Sequence, residues 1–273
     1  MSLPPIATRR LGRANVSVSE LGLGTAPLGD LFDRLEDDEA SAVVGTAWDG
    51  GARYFDTSPW YGRGQSEHRL GRALYRKARE NFVISTKIGR VLRRPLRPGL
   101  IKDQWVGGLD FETVYDYGYA GVMRSFEDSL QRLGISSIDL LLVHDLDIWN
   151  HKNPERLDAY FAQLIAGGWR ALEELRATGA IKGIGAGLNA TQTIPRFLDL
   201  FDIDFFLLAM RYTLLETDVL DEEFPRCAER GVGIVIGGGY NSGILATGAV
   251  PWRRRRRWRA SARSSGRPCR GCW

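Results

Sequence analysis

Cysteine, methionine and histidine are scarce in this chain of 273 residues, at three each. Cys269 and Cys272 lie together near the C-terminus, so residues 1–250 hold one cysteine, Cys227. A single thiol cannot build a disulfide framework, and such usage suits a reducing compartment. Cys269-x-x-Cys272 has no second Cys/His pair beside it, which argues against zinc or redox chemistry, and no metal site is expected. Long apolar runs are missing as well. The strongest, 138–143, is interrupted by Asp139 and is far shorter than the roughly 20 residues that span a bilayer. Residues 1–10 lack the apolar stretch of a secretory signal. These absences predict a cytoplasmic protein without a membrane partner.

What is present is a regular alternation. Short β-rich runs at 20–24, 53–56, 82–87, 138–143, 181–185, 205–208 and 233–236 are separated by amphipathic helical patterns at 37–48, 65–77, 121–133, 169–178, 192–201 and 218–230. No Pro/Gly/Ser-rich linker divides residues 1–250, which are expected to form one domain. Alternating strands and helices predict a parallel sheet, because parallel neighbours need a crossover and the crossover is usually a helix. Gly134, Gly179 and Gly231 follow helical patterns where a C-terminal cap is needed. Ahead of the repeats, 8–12 and 16–19 flank a turn-prone Arg13-Ala14-Asn15, which predicts a hairpin placed to plug one end of a barrel. A doubly wound sheet and a (β/α)8 barrel both fit such alternation. The first strand ends Gly22-Leu23-Gly24-Thr25-Ala26-Pro27, which cannot continue as a Gly-x-Gly-x-x-Gly turn into a helix, and this favours the barrel.

The polar residues that follow the strands form a pattern of their own. Asp56 closes the second strand, Tyr61 follows in the next loop, Lys87 closes the third strand and His144 follows the fourth. In a parallel barrel all C-terminal strand ends open on one face, so these four side chains converge. A neighbouring ammonium favours phenolate over phenol, a carboxylate holds that ammonium charged, and a histidine can orient a substrate oxygen. Taken singly, each has a structural reading: a loop-entry hydrogen bond, a solvated amine, a packed ring. Together they suit proton transfer coupled to hydride transfer at a carbonyl or alcohol carbon. Arg211 and Tyr212, near the sixth strand end, would contact substrate or serve as an ion pair and a packed ring. His68 and His151 read as surface residues.

Tyr54-Phe55-Asp56-Thr57-Ser58-Pro59-Trp60-Tyr61-Gly62, Ser66-Glu67, Leu70-Gly71 and Ser85-Thr86-Lys87 resemble the signature of the aldo-keto reductases. Ser129-Leu130-Gln131-Arg132-Leu133-Gly134 and 138–145 resemble the family's next block. Trp60-Tyr61-Gly62, 144–147 and 240–245 are most similar to its aldose 1-dehydrogenases of the L-fucose or D-threo-aldose type, with pyridoxal 4-dehydrogenase close by. The resemblance implies a (β/α)8 barrel binding NAD or NADP across the strand ends, with Tyr61 as general acid/base, Lys87 lowering its pKa, Asp56 pairing Lys87, and His144 positioning the substrate oxygen. It further implies cofactor contacts from Gly24, Thr25, Asn189 and the turn holding Gly238, Tyr240, Ser242 and Gly243, and substrate contacts from Trp60 and Arg211. The implied substrate is a sugar or another small aldehyde or alcohol. Its identity, the choice between NAD and NADP, and the oligomeric state stay open. Leu188, Ala209 and Gly237 depart from the family pattern, standing where many members carry a hydroxyl, a Gln and an aromatic.

Acidic residues vanish at the end of the chain. Residues 251–273 carry nine Arg and no Asp or Glu, so the formal charge of +4 conceals a mildly acidic 1–250 with 28 basic and 33 acidic residues. A full barrel requires an eighth strand and more helix after 233–236, on the order of 50–70 residues, and 251–273 shows neither period. The expectation is therefore an incomplete barrel of about seven strands and six helices in 1–250, followed by a basic, disordered tail such as a frameshift would produce. A second reading makes the chain an inactive barrel whose Arg253–Arg257 run, flanked by Trp252 and Trp258, binds nucleic acid or an anionic surface. With no folded nucleic-acid module around it, a solvated tail is the preferred expectation.

Overall fold

The computed structural model describes residues 6–97, 99 and 103–248. The expected basic tail, 251–273, and its boundary at Val250 lie outside them. A hairpin of β1 (Thr8–Arg10) and β2 (Ser17–Ser19) precedes β3 (Leu23–Gly24), α1 (Asp37–Asp49), β4 (Tyr54–Asp56), α2 (Gln65–Leu74), β5 (Val83–Arg93), β6 (Glu112–Asp116) and α3 (Tyr119–Leu133). Then come β7 (Leu140–His144), α4 (Ile148–His151), α5 (Pro154–Gln163), α6 (Trp169–Ala177), β8 (Gly183–Leu188), α7 (Ile194–Leu200), β9 (Phe205–Ala209), α8 (Glu223–Glu229), β10 (Gly233–Gly237) and α9 (Ile244–Thr247). Seven strands run parallel in the order β10-β9-β8-β7-β5-β4-β3, and β6 joins β5 antiparallel. Among the described residues β10 and β3 are not paired, and these seven strands form a nearly closed α/β barrel.

The strand register places the chemistry. Pairing of Ser85 with Leu140, Lys87 with Leu142, and His144 with Gly187 puts these residues on one parity of adjacent strands, the face turned into the barrel. Lower in the barrel this parity is apolar. Tyr54, Leu140, Leu142 and Phe205 pack with Leu11, Ala14 and Val18 of the hairpin segment, which seals the N-terminal end as the sequence predicts. Gly185 makes room for this layer: a Cβ there would stand 2.6 Å from the Phe205 ring. At the C-terminal end the same parity becomes Asp56, Lys87 and His144, so the closed end is dry and the open end ionisable. The opposite faces of the strands pack against the helices in the larger core, with Phe55, Ile84, Leu141, Val143, Ile184 and Phe206 all fully buried.

Three expectations need correction. The strand expected at 82–87 runs on to Arg93 and forms an antiparallel arm with β6 above the barrel rim. The helix expected at 169–178 is the last part of a continuous helical stretch from Pro154 to Ala177, joined through a π-helical segment at Leu164–Gly168. Gly168 is there for contact, not termination, since a Cβ would stand 1.9 Å from the Tyr117 carbonyl oxygen. His151 is buried, its ring among Tyr115, Tyr117 and Tyr160, whereas His68 is exposed as expected. Among the described residues no helix is long and apolar enough to cross a membrane.

Candidate active site

The loop after β4 carries Tyr61 over the barrel mouth. Tyr61 N–H donates to the Ser58 carbonyl at 3.1 Å, with Pro59 supplying the fixed φ that suits the second position of a turn. Arg63, buried beneath this turn in a left-handed conformation, pairs with Asp103 at 2.7 Å and donates to the Leu109 carbonyl. The segment after β5 is thereby clamped beside the turn. It brings the Trp105 ring to 5.7 Å from Tyr61 and 5.2 Å from Trp60, centroid to centroid.

Lys87 lies at the centre, 1% exposed. Its ammonium donates to Asp56 Oδ2 at 2.7 Å, the Thr57 carbonyl at 2.7 Å and Tyr61 Oη at 3.2 Å, which uses all three hydrogens. Asp56 Oδ1 accepts from Ser85 Oγ at 2.7 Å, which holds the carboxylate against the amine. Burial pulls the Lys87 pKa down, but Asp56 and Tyr61 outweigh it, and the amine titrates above its ordinary value. Burial likewise raises the Tyr61 phenol above 10; Lys87 opposes that rise and Asp56 adds to it. Lys87 thus acts on Tyr61 in the expected direction without overcoming burial. Since Tyr61 Oη accepts from Lys87, the phenol's own hydrogen is directed elsewhere.

His144 completes the group, its ring 5.7 Å from that of Tyr61 and 5.9 Å from that of Trp60. Nδ1 meets Ser58 Oγ at 2.9 Å, and Nε2 approaches Asp145 Oδ2 at 3.4 Å. Burial, then the positive charges of Arg90 and Lys87, hold His144 well below the ordinary histidine range, so it is neutral. Arg90 and Asp145 form a buried pair at 2.8 Å, and the guanidinium lies 4.3 Å above the Trp60 ring. From sequence, Arg90 has no expected role and Asp145 only a place in the motif at 144–147. The available signal was Gly89, whose φ of +101° admits glycine readily and other residues only with strain, and whose Cβ position falls 2.2 Å from the Tyr117 ring.

Asn189 connects to this group through Asp145, to which its Nδ2 donates at 2.8 Å. Arg211 stands one step further out. Its Nε donates to the Asn189 carbonyl and its guanidinium pairs with Glu216 at 2.5 Å, so the structural alternative for Arg211 is realised. Arg211 also lines a cavity of about 260 Å³ with Trp149, Gln192 and Asp218. Gly24 is exposed next to Asp56 in register, but Thr25 is fully buried, donating to the Asp56 carbonyl and meeting Ser66 Oγ. The Thr25 hydroxyl is thus engaged by the β4 backbone and Ser66, as a short polar side chain at a strand end can be. Gly238, Tyr240, Ser242 and Gly243 lie on the rim after β10, with Gly238, Ser242 and Gly243 at positive φ and Tyr240 exposed.

These residues fit a nicotinamide dinucleotide in part. Asn189 commits one amide hydrogen to Asp145, and among the described residues Asn241 Oδ1, in the turn after β10, is buried without a partner. Small residues at positive φ allow backbone approach to a pyrophosphate there.

Comparison with known proteins decides the family. A sequence model of the Aldo/keto reductase family matches residues 20–262. The chain belongs to the aldo/keto reductase family. It is an oxidoreductase, and members of this family use a nicotinamide nucleotide. The matched range extends past Val250. Pyridoxal 4-dehydrogenase of Microbacterium luteolum is 47% identical over 256 residues, covering 90% of this chain and 74% of the relative. D-threo-aldose 1-dehydrogenase of a Pseudomonas species is 42% identical over 238 residues, covering 85% and 69%. The holo form of an aldo-keto reductase from Bacillus halodurans superposes with a TM-score of 0.70 at 26% identity, covering 90% of this chain and 71% of that one.

The two buried histidines carry a stability prediction. Burial lowers the His151 pKa to about 4 and that of His144 well below 6.5. Both folded values lie below the unfolded one, so the associated stability is complete above pH 6.5 and is lost as pH falls below it, by up to about 1.4 kcal/mol per pH unit for each group. Thermal unfolding from pH 8 to 4.5 should show Tm falling below pH 6.5, and His151→Gln should reduce the fall. A decline of equal steepness in His151→Gln would remove that histidine from the account.

Proposed function

We propose that the chain transfers hydride between NAD or NADP and the anomeric carbon of an aldose, or an aldehyde or alcohol of similar size. Tyr61, Lys87, Asp56 and His144 form the catalytic group in this reading. The observation that carries it is the Lys87 ammonium, 3.2 Å from Tyr61 Oη and 2.7 Å from Asp56 in a buried setting. A bound nicotinamide dinucleotide supplies the hydride acceptor in oxidation and the donor in reduction. Asn189 and the turn at 238–243 would hold it, with Gly24 allowing approach from the other side. In oxidation, Tyr61 as phenolate takes the proton of the substrate hydroxyl, and Lys87 keeps that phenolate affordable in a dry site. His144 holds the same substrate oxygen through a ring N–H. Trp60 walls the pocket, stiffened by Arg90 against its far face.

Similarity to a D-threo-aldose 1-dehydrogenase and a pyridoxal 4-dehydrogenase supports a substrate that closes to a cyclic hemiacetal, as aldoses and pyridoxal both do. Proton loss to Tyr61 together with hydride loss from the hemiacetal carbon gives a lactone. Formation of reduced nicotinamide should be followed with L-fucose, D-threo-aldoses and pyridoxal, each with NAD and NADP. Turnover of at least one hemiacetal is expected; turnover of none with either coenzyme contradicts the proposal.

A further inference from the structure

Ser58 belongs to the signature stretch yet has no role in the proton-transfer group described above. It is fully buried, and its surroundings can be counted. Its Oγ accepts from the Trp60 N–H at 3.1 Å, closing a local hydroxyl turn, and meets His144 Nδ1 at 2.9 Å. Among the described residues this hydroxyl has no other hydrogen-bond partner. A serine hydroxyl has one hydrogen to give, and a buried one left without an acceptor is disfavoured. The Trp60 contact is a donor and cannot receive it. His144 Nδ1 is the one acceptor within reach, and it can accept only when it carries no hydrogen.

We infer that Ser58 is a positioning residue: its hydroxyl donates to His144 Nδ1, which fixes the ring as the neutral tautomer with hydrogen on Nε2 and aims that N–H toward the substrate oxygen. This rests on the reading of His144 under the proposed function. Two further observations agree with it. The Asp145 carboxylate, 3.4 Å from Nε2, suits a nitrogen that bears hydrogen. Arg90 and Lys87 disfavour a second ring proton, so a neutral ring must choose one nitrogen. Ser58 also receives the Tyr61 N–H on its carbonyl at 3.1 Å. One residue therefore sets the turn that carries Tyr61 through its backbone and the orientation of His144 through its side chain. The alternative tautomer, hydrogen on Nδ1, would place two hydrogens between Ser58 and the ring or leave the serine hydrogen without a partner.

Long-range ¹H–¹⁵N correlation spectra of the full chain test this without requiring turnover. The expected wild-type result is a pyridine-type, hydrogen-bonded Nδ1 and a pyrrole-type Nε2 for His144. Ser58→Ala should move the Nδ1 signal toward that of an unbonded pyridine-type nitrogen and lower kcat about tenfold, the loss of one hydrogen bond, with a smaller change in KM. Ser58→Thr, which keeps the hydroxyl, should restore both. A pyrrole-type Nδ1 in the wild type overturns the inference whatever Ser58→Ala does, including failure to fold. So does a Ser58→Ala spectrum identical to wild type. The two readings fail separately: if His144→Ala keeps wild-type kcat, the role of His144 falls, while the spectrum still decides the Ser58 hydrogen bond.

Discussion

Phenylalanine at position 61 should lower kcat by about three orders of magnitude, within the 10²–10⁴ range of a lost general acid/base, while thermal stability changes little. The two effects separate because, among the described residues, the Tyr61 hydroxyl makes one hydrogen bond, to Lys87. A phenyl ring retains the contacts with Trp105 and His144, and the ammonium retains Asp56 and the Thr57 carbonyl. Steady-state kinetics beside a thermal melt check it. A Tyr61→Phe chain within tenfold of wild-type kcat would show that another group moves the proton.

Removal of Lys87 should cost both activity and fold. Lys87→Met leaves the Asp56 carboxylate buried with Ser85 as its remaining side-chain partner, and breaking a buried ion pair from one side typically costs about 3–5 kcal/mol. Catalysis falls as well, because Tyr61 loses the positive charge that favours its phenolate. The paired variant Asp56→Asn/Lys87→Met separates the contributions. Removing both charges should recover much of the lost Tm, since neutral replacements of a buried pair are often tolerated, but not kcat. Recovery of both would mean that the pair serves packing alone.

Much of this architecture can be read from the amino-acid sequence, for reasons visible in particular residues. Asp56, Lys87 and His144 each stand at the end of a short β-rich run, and a parallel barrel has one face on which such ends meet. Tyr61 joins them because Ser58-Pro59 specifies a turn. Other features depend on contacts between distant residues. The helical pattern expected at 169–178 starts only after Gly167-Gly168, yet a glycine at 168 lets a longer helical stretch lie against the Tyr117 backbone. His151 sits in a polar stretch and reads as exposed, while Tyr115 and Tyr160, from β6 and α5, enclose it. The arm made by β5 and β6 has no periodic signal beyond Lys87 because Gly89 interrupts the alternation, so Arg90 and its partner Asp145 stay hidden. At Thr25 the resemblance implies a cofactor contact, and the structure adds a bond from its hydroxyl to the β4 carbonyl of Asp56 that no local pattern announces.

The central claim is that Lys87 tunes Tyr61 for proton transfer, and the pH dependence of kcat/KM for oxidation tests it most directly. Burial places the Tyr61 phenol above 10, so the phenolate fraction rises tenfold per pH unit below that value. In the wild type, log kcat/KM should climb with unit slope from pH 7 to 9, with no limb near 6.5, where His144 is already neutral. In Lys87→Met the limb should lie at higher pH, with a lower rate throughout the range. A pH-independent wild-type rate, or a limb that Lys87→Met leaves in place, would contradict the account.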